Sequence, residues 1–380
     1  MRVLHISSYF APAFVYGGPP RSILGLCQGL MSAGVDVEVL TTTANGDREL
    51  PQHTERPACY DGVAVRYFPL GFPRRFFGVQ GLERALQQEL DSADLVHVHG
   101  IWNMPAWIAM RSCHKAGVPY VVSPRGMLER GSMGHHRYRK MLGYHLLEKR
   151  GLRRAVFLHA TSTAEQAALS ALSLEPPIVM LPNGVAPPEA ATNPELRSRH
   201  GIPAGHPLVV YLGRLHPTKR LDLLVAAFAE ARRGCPELEL VIAGRADGVE
   251  PSQIGGDGIH LLGQISDKDK WALLEETDVL VMCSDSESFS LSVVEALARG
   301  VPVVVTKTCP WEAVERHRLG FWVEQNVSEI ATAIVEVLND HAEAEEMGAR
   351  GRELVARDYR WSSIGTAMAG RYEQALSGRS

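Results

Sequence analysis

Strand-length apolar runs alternate with helical stretches along this chain, and the alternation is played through twice. In the first half the runs fall at residues 3–7, 37–41, 63–68, 95–99, 120–123 and 157–161. A second series follows at residues 208–212, 238–243, 260–262, 279–283 and 301–306. Strands that alternate with helices predict parallel sheets covered by helical layers. Between the two series, residues 182–207 carry Pro187-Pro188 and Pro194 and read as a linker. The expected fold class is therefore α/β, with two Rossmann-like domains over residues 1–190 and 191–360. A length of 380 residues agrees, because a single hydrophobic core rarely grows so large.

Composition narrows the function classes. Hydrophobic content of 45% and charged content of 22% suit an ordinary globular protein. Cys27, Cys59, Cys113, Cys235, Cys283 and Cys309 are scattered without a C-x-x-C pair, which argues against a zinc site or a disulfide framework. The first apolar run is too short for a signal peptide, and no run reaches the length of a membrane span. A cytoplasmic setting is expected. Neither half has a G-x-G-x-x-G fingerprint, which weakens a dehydrogenase reading.

The densest chemistry lies at residues 279–302. An apolar run leads into Ser286-Glu287-Ser288-Phe289-Ser290-Leu291, then an apolar helix carrying Glu295, then Gly300 and Pro302 as a stop. Glu287 falls on the turn and Glu295 about a turn and a half into the helix, leaning back toward the same crevice. The first helical amides, at Ser290 and Leu291, form an anion site, and a carboxylate on each side of it suits hydroxyl recognition. The bland alternative is one solvated turn glutamate and one amphipathic-helix glutamate.

Further candidates sit at other strand ends. Tyr16-Gly17-Gly18-Pro19-Pro20 follows the first strand and lets backbone approach a ligand closely. Gly213-Arg214-Leu215-His216-Pro217-Thr218-Lys219 offers a planar guanidinium and a compact ammonium, complementary cations for a diphosphate. Such cations would make a metal ion unnecessary. Asp267 and Asp269, amid lysines at a helix start, read as capping and solvated charge rather than as metal ligands. His97 and His99 point to one face of their strand, an arrangement compatible with metal binding but without an obvious third ligand.

Four segments carry a family resemblance. Glu287 to Glu295 with the following Ala-Leu-Ala-Arg-Gly-Val-Pro resembles the E-x7-E signature of retaining glycosyltransferases of family 4, the group 1 transferases. Residues 213–222, Leu181-Pro182-Asn183-Gly184-Val185 and Asp94-Leu95-Val96-His97-Val98-His99-Gly100 are similar to that family's phosphate-binding, interdomain and histidine-strand segments. The resemblance implies a GT-B fold with domains facing each other across a cleft, the helix at 361–380 returning to complete the first domain. It implies catalytic roles for Glu287, Arg214, Lys219 and His99, the last hydrogen-bonded to the transferred sugar. Donor contacts would come from Gly17, Gly18, Gly213, Phe289, Ser290, Leu291 and Glu295, with Glu295 on the ribose. Gln264 and Ile265 are the candidates for the nucleotide base, and Arg125 for the acceptor. One departure is Ser290, where the family often has glycine.

The implied activity is metal-independent, cofactor-free transfer of a sugar from a UDP or GDP donor to a glycan or lipid-linked acceptor, as in polysaccharide or cell-envelope synthesis. A sugar-nucleotide epimerase and a non-enzymatic two-lobed sugar-binding protein are the alternatives. Charge is split: residues 1–190 hold 19 Lys+Arg against 15 Asp+Glu, the remainder 20 against 28. The basic excess concentrates in residues 137–154, an expected amphipathic helix that either lies on an anionic membrane or packs its apolar side on the core.

Overall fold

The computed structural model describes residues 1–51, 57–129, 143–189 and 195–378. It divides into two compact units, residues 1–184 with 361–380 and residues 185–360.

In the first unit the strands are β1 (Arg2–Ser7), β2 (Asp36–Thr42), a small β3–β4 pair (Ala44–Asn45 and Arg48–Glu49), β5 (Ala58–Tyr60), β6 (Val63–Phe68), β7 (Leu95–His99), β8 (Tyr120–Ser123), β9 (Leu158–Ala160) and β10 (Ile178–Met180). The main sheet runs β10-β9-β8-β7-β1-β2-β6-β5, parallel except where β5 joins β6. From β1 the chain builds outward through β2 to β6, then returns to the other side of β1 as β7. The β1/β7 boundary is thus the point where strand order reverses, the usual ligand position in an open α/β sheet. Val3, Leu4, Ile6, Val96 and Val98 are buried, as strands covered on both faces require.

The helix Trp361–Ser377 packs on the helix Gly18–Ser32. Their crossing depends on missing side chains. A Cβ on Gly365 would lie 2.1 Å from the Gly29 carbonyl carbon, and one on Gly29 would lie 2.1 Å from the Trp361 oxygen. The close approach carries Tyr372 fully into the core.

The second unit has β11 (Leu208–Leu212), β12 (Glu239–Ala243), β13 (Ile259–Gly263), β14 (Val279–Met282), β15 (Val303–Thr306) and β16 (Gly320–Val323) in the all-parallel order β13-β12-β11-β14-β15-β16. Its reversal lies between β11 and β14. The segments with candidate cations and candidate carboxylates leave those two adjacent strands.

Of the expected basic helix, residues 137–142 lie outside the described residues. The remainder forms a π-helical turn, Tyr144–Glu148, and a short helix, Lys149–Leu152. Tyr144, Glu148 and Leu152 face inward, so this part packs on the core. No helix among the described residues is long and apolar enough to cross a membrane.

Candidate functional site

In the second unit, Gly213 continues β11, its N–H donating to the Ala243 carbonyl oxygen (3.0 Å), and a Cβ there would lie 2.6 Å from the Tyr211 hydroxyl. Arg214 follows, its side chain 43% exposed and ion-paired with Asp247. Pro217–Lys219 forms a single 3-10 turn, opened by His216, whose ring accepts from the Thr218 amide. That turn directs Lys219 onto the Glu287 carboxylate. Ser284 Oγ donates to the same carboxylate oxygen at 2.9 Å. The two ion-paired side chains are only 15% and 13% exposed, so water screens them little.

The turn after β14 is held from below. Phe289 is buried against Trp311 (ring centroids 5.4 Å) and Tyr359 (6.0 Å), and the Trp311 indole N–H donates to the Phe289 carbonyl. Its ring is therefore an anchor inside the core, which leaves the backbone of this residue for the expected donor contact. Ser290 has φ +68° and precedes the helix Leu291–Arg299, with no side-chain cap on the helix start. A positive φ costs an L-residue roughly 1 kcal/mol, which explains glycine as the family's common choice here.

Glu295 is buried and ion-paired with Lys270. Lys270 also lies 3.3 Å from Asp267 and 4.8 Å from the Trp271 ring centroid. The sequence carried no sign that this lysine, on the acidic segment read as capping and solvated charge, would meet Glu295. Ser266 caps the helix Asp267–Glu275 by accepting from the Asp269 amide (3.1 Å), which fits a capping role for that acidic segment. Gln264 is exposed and Ile265 half-buried, directly after β13.

In the first unit, Gly17 (φ +83°, ψ −130°) caps the helix Gly18–Ser32 with Pro19 and Pro20 in its first turn. Register pairs His5 on β1 with His97 on β7, and three imidazoles gather at the strand-order reversal. His5 is the member that sequence missed: one half-turn of pattern on β1 gave no sign that it would meet residues ninety positions away. His5 Nδ1 lies 2.8 Å from His99 Nε2. His99 Nδ1 accepts from Arg125 at 3.1 Å, since a guanidinium can only donate. The protons are thereby assigned: His99 carries its proton on Nε2 and gives it to His5 Nδ1, leaving His5 Nε2 as a buried donor without a partner. His97 bonds the Tyr372 hydroxyl and Ser123 Oγ, each at 2.6 Å, and Ser123 meets His159 Nδ1 at 2.7 Å.

Burial lowers the pKa of every histidine in this network. His5 and His159 fall to about 3, with the Arg125 charge adding to the effect, and His97 and His99 also fall well below their ordinary value. The rings are neutral at pH 7. Among the described residues, His5, His97 and His99 are also the one group of three side chains close enough to share a metal ion. Both nitrogens of His97 and both of His99 are already hydrogen-bonded, so a metal would have to break the network.

Arg125 (φ +58°) reaches Asn183 Oδ1 at 2.9 Å and Ser22 Oγ at 3.2 Å besides His99. Glu165 lies near enough to stabilise its charge. His99 and Arg125 line a cavity of about 340 Å³ with Tyr9, Phe77, Trp102 and Asn103. Neither ring nitrogen of His99 is open to that cavity's contents in this arrangement.

Two family models match this chain: a glycosyl transferase 4-like domain over residues 17–184 and glycosyl transferases group 1 over residues 192–354. The chain belongs to the group 1 glycosyltransferases. A GDP-mannose-dependent alpha-(1-6)-phosphatidylinositol monomannoside mannosyltransferase of Mycobacterium tuberculosis is 32% identical over 198 residues, 48% of this chain and 51% of that protein. The similarity thus spans about half the length of that relative. Among solved structures, sucrose-phosphate synthase from Thermosynechococcus elongatus has a TM-score of 0.76 at 22% identity, covering both chains fully. Anabaena HepE, in complex with UDP and glucose, has a TM-score of 0.75 at 18% identity, over 98% of this chain and 100% of that one. This group 1 glycosyltransferase has the GT-B fold.

Proposed function

We propose that this group 1 glycosyltransferase transfers a sugar from a UDP or GDP donor, with retention and without a metal ion, to a glycan or lipid-linked acceptor. The observation that carries the reading is the nearly buried Lys219–Glu287 pair at the strand-order reversal of the second unit. A lysine and a glutamate that neutralise each other in the free protein can part when a ligand brings both an anion and hydroxyls. Lys219, with Arg214 and the amides at Ser290 and Leu291, then faces the diphosphate, and Glu287 accepts from a sugar hydroxyl. Glu295, held by Lys270, is the acceptor we assign to the ribose hydroxyls. Negative charge that grows on the leaving diphosphate meets fixed cations, so a metal would be redundant.

Glu287 keeps its role as a hydroxyl acceptor rather than a nucleophile, because Lys219 and Ser284 both bind its Oε1. We favour a front-face route, in which the departing phosphate takes the acceptor's proton. A cytoplasmic setting suits a nucleotide-sugar donor. The Mycobacterium tuberculosis relative is named for GDP-mannose, whereas HepE was solved with UDP, so both donors belong in the test.

Thermal shift with UDP, GDP and ADP tests the reading directly. A nucleotide at a hundred times its dissociation constant adds about 2.7 kcal/mol to the state that binds it. A clear rise in Tm with one of the three, lost in Glu295→Ala, is the expected result. No shift with any nucleoside diphosphate would overturn the proposal.

A further inference from the structure

Outside the candidate site, one surface of the first unit combines features that water alone does not explain. Residues 71–78 form a tight loop between β6 and the helix Leu82–Leu90. Its neck is closed by a bridge from Leu70 to Val79 and by the Gly71 amide donating to the Gly78 oxygen at 2.5 Å. Inside the loop the Phe76 and Gly78 amides bond the Pro73 oxygen at 3.1 and 3.0 Å, and the Phe77 amide bonds the Arg74 oxygen at 3.0 Å. A Cβ on Gly78 would lie 2.5 Å from the Phe72 carbonyl carbon, so the loop closes only with glycine there. Such a loop is built rather than slack.

What it displays is unusual for a soluble surface. Phe72 is 95% exposed, and a phenylalanine presented so fully forfeits about 1.5–3 kcal/mol of burial. Phe76 is also exposed, its ring 5.5 Å from Trp107 and 5.7 Å from the Arg75 guanidinium. Trp107 in turn donates its indole N–H to Glu148 at 2.6 Å, which joins the turn Tyr144–Glu148 to the patch. That turn exposes Leu147, and Arg150 beyond it is exposed too. Arg111, one helical turn from Trp107, is exposed on the same helix face. Of the nearby acids, Glu49 is paired with Arg74 and Glu148 is buried; Glu83, at the start of the next helix, is exposed.

We propose that this aromatic and basic surface docks on an anionic lipid bilayer, with Phe72 inserted at the level of the headgroups. Exposed aromatics flanked by arginines match such an interface in both polarity and charge. The same loop turns Phe77 (φ +52°) inward onto Tyr9 and Tyr16, at ring separations of 5.7 and 6.0 Å, where it lines the 340 Å³ cavity. Docking would therefore set the cavity beside the headgroup layer. In that consequence the inference rests on the lipid-linked acceptor proposed above, but the docking itself does not.

Flotation of the full-length protein with vesicles of equal parts phosphatidylglycerol and phosphatidylcholine, against phosphatidylcholine alone, tests this at low and high salt. The wild type should bind the anionic vesicles and release them at high salt. Phe72→Ser should weaken binding about tenfold, the low end of the value of one phenylalanine. Arg75→Glu removes one attraction and adds one repulsion of about 1 kcal/mol each, or roughly thirtyfold. Unchanged thermal unfolding of both variants, and unchanged transfer to a water-soluble acceptor, would separate lost docking from lost function. The proposal is overturned if the wild type ignores anionic vesicles, if it binds neutral ones equally, or if Phe72→Ser binds as the wild type does. A failure of all glycosyl transfer would instead strike the proposed function and leave the vesicle result standing.

Discussion

Substituting Lys219 and Glu287 singly and together separates structural from chemical roles at the proposed donor site. A solvent-exposed ion pair contributes about 0–1 kcal/mol, whereas stranding one charge of a fully buried pair costs about 3–5 kcal/mol. At 15% and 13% exposure this pair lies nearer the second limit, but it has an additional donor in Ser284 at 2.9 Å. Lys219→Met leaves the carboxylate with Ser284 alone and should cost about 2–3 kcal/mol. Glu287→Gln leaves Lys219 an amide oxygen and should cost about 1–2 kcal/mol. The double variant strands no charge, so its loss should fall short of the sum by about 1–2 kcal/mol. Turnover behaves differently: each single change should lower it at least tenfold, about 1.4 kcal/mol of transition-state stabilisation, and the double should recover none of it. Urea denaturation and initial rates on the same four proteins measure both. Stability losses that add within about 0.5 kcal/mol would show that the pair is not coupled. A double variant that regained turnover would refute the chemical role and leave the pair a structural one.

Three other outcomes are expected. Gly365→Val places atoms where the Gly29 backbone already lies, so the helix Trp361–Ser377 should lose its seat; the check is a lowered Tm with new proteolytic cleavage near Trp361, and a native-like Tm would refute the crossing. Because His5 and His159 have folded pKa values of about 3 against an ordinary 6.5, the unfolded chain binds more protons between those limits. Stability contributed by their neutral burial is present above about pH 6.5 and lost as pH falls, at up to about 1.4 kcal/mol per pH unit for each histidine. His159→Gln should flatten that slope in pH-dependent denaturation, and an unchanged slope would count against it. Turnover should survive EDTA, since Lys219 and Arg214 supply the charge; abolition by chelation with rescue by Mg²⁺ or Mn²⁺ would overturn the metal-independent scheme.

The strands were legible because both sheets bury their strands on both faces, which leaves continuous apolar runs in sequence. β6, β7, β8 and β11 begin and end where those runs do. β10 and β16 escaped the reading because they are short edge strands, only partly buried, with β10 following Pro176-Pro177. Pair contacts were not legible at all. Lys219 meets Glu287 across 68 positions, and Lys270 meets Glu295 across 25, through strand-order reversals and helix packing that no periodicity reports. His5 could have been suspected from register: parallel β1 and β7 put it beside His97, once β7 is known to flank β1.

Ser290 connects these levels. Its positive φ is a strained choice for serine, and strain of this kind persists only where the surroundings fix the backbone. Here they do: Phe289 is sunk between Trp311 and Tyr359, its carbonyl is claimed by the Trp311 indole, and the Thr308 hydroxyl bonds the Ser284 oxygen just upstream at 2.5 Å. Ser290 Oγ spends its hydrogen bond on Ser292 at 3.1 Å rather than on the helix start. The first amides of Leu291–Arg299 therefore have no side-chain cap, while Lys219 stands within reach of Glu287 on the neighbouring loop. Uncapped helix starts at a positive φ recur at Leu82–Leu90 and Leu221–Arg232, so what sets this one apart is the Lys219–Glu287 pair beside it. In the proposed scheme its open amides take the phosphate.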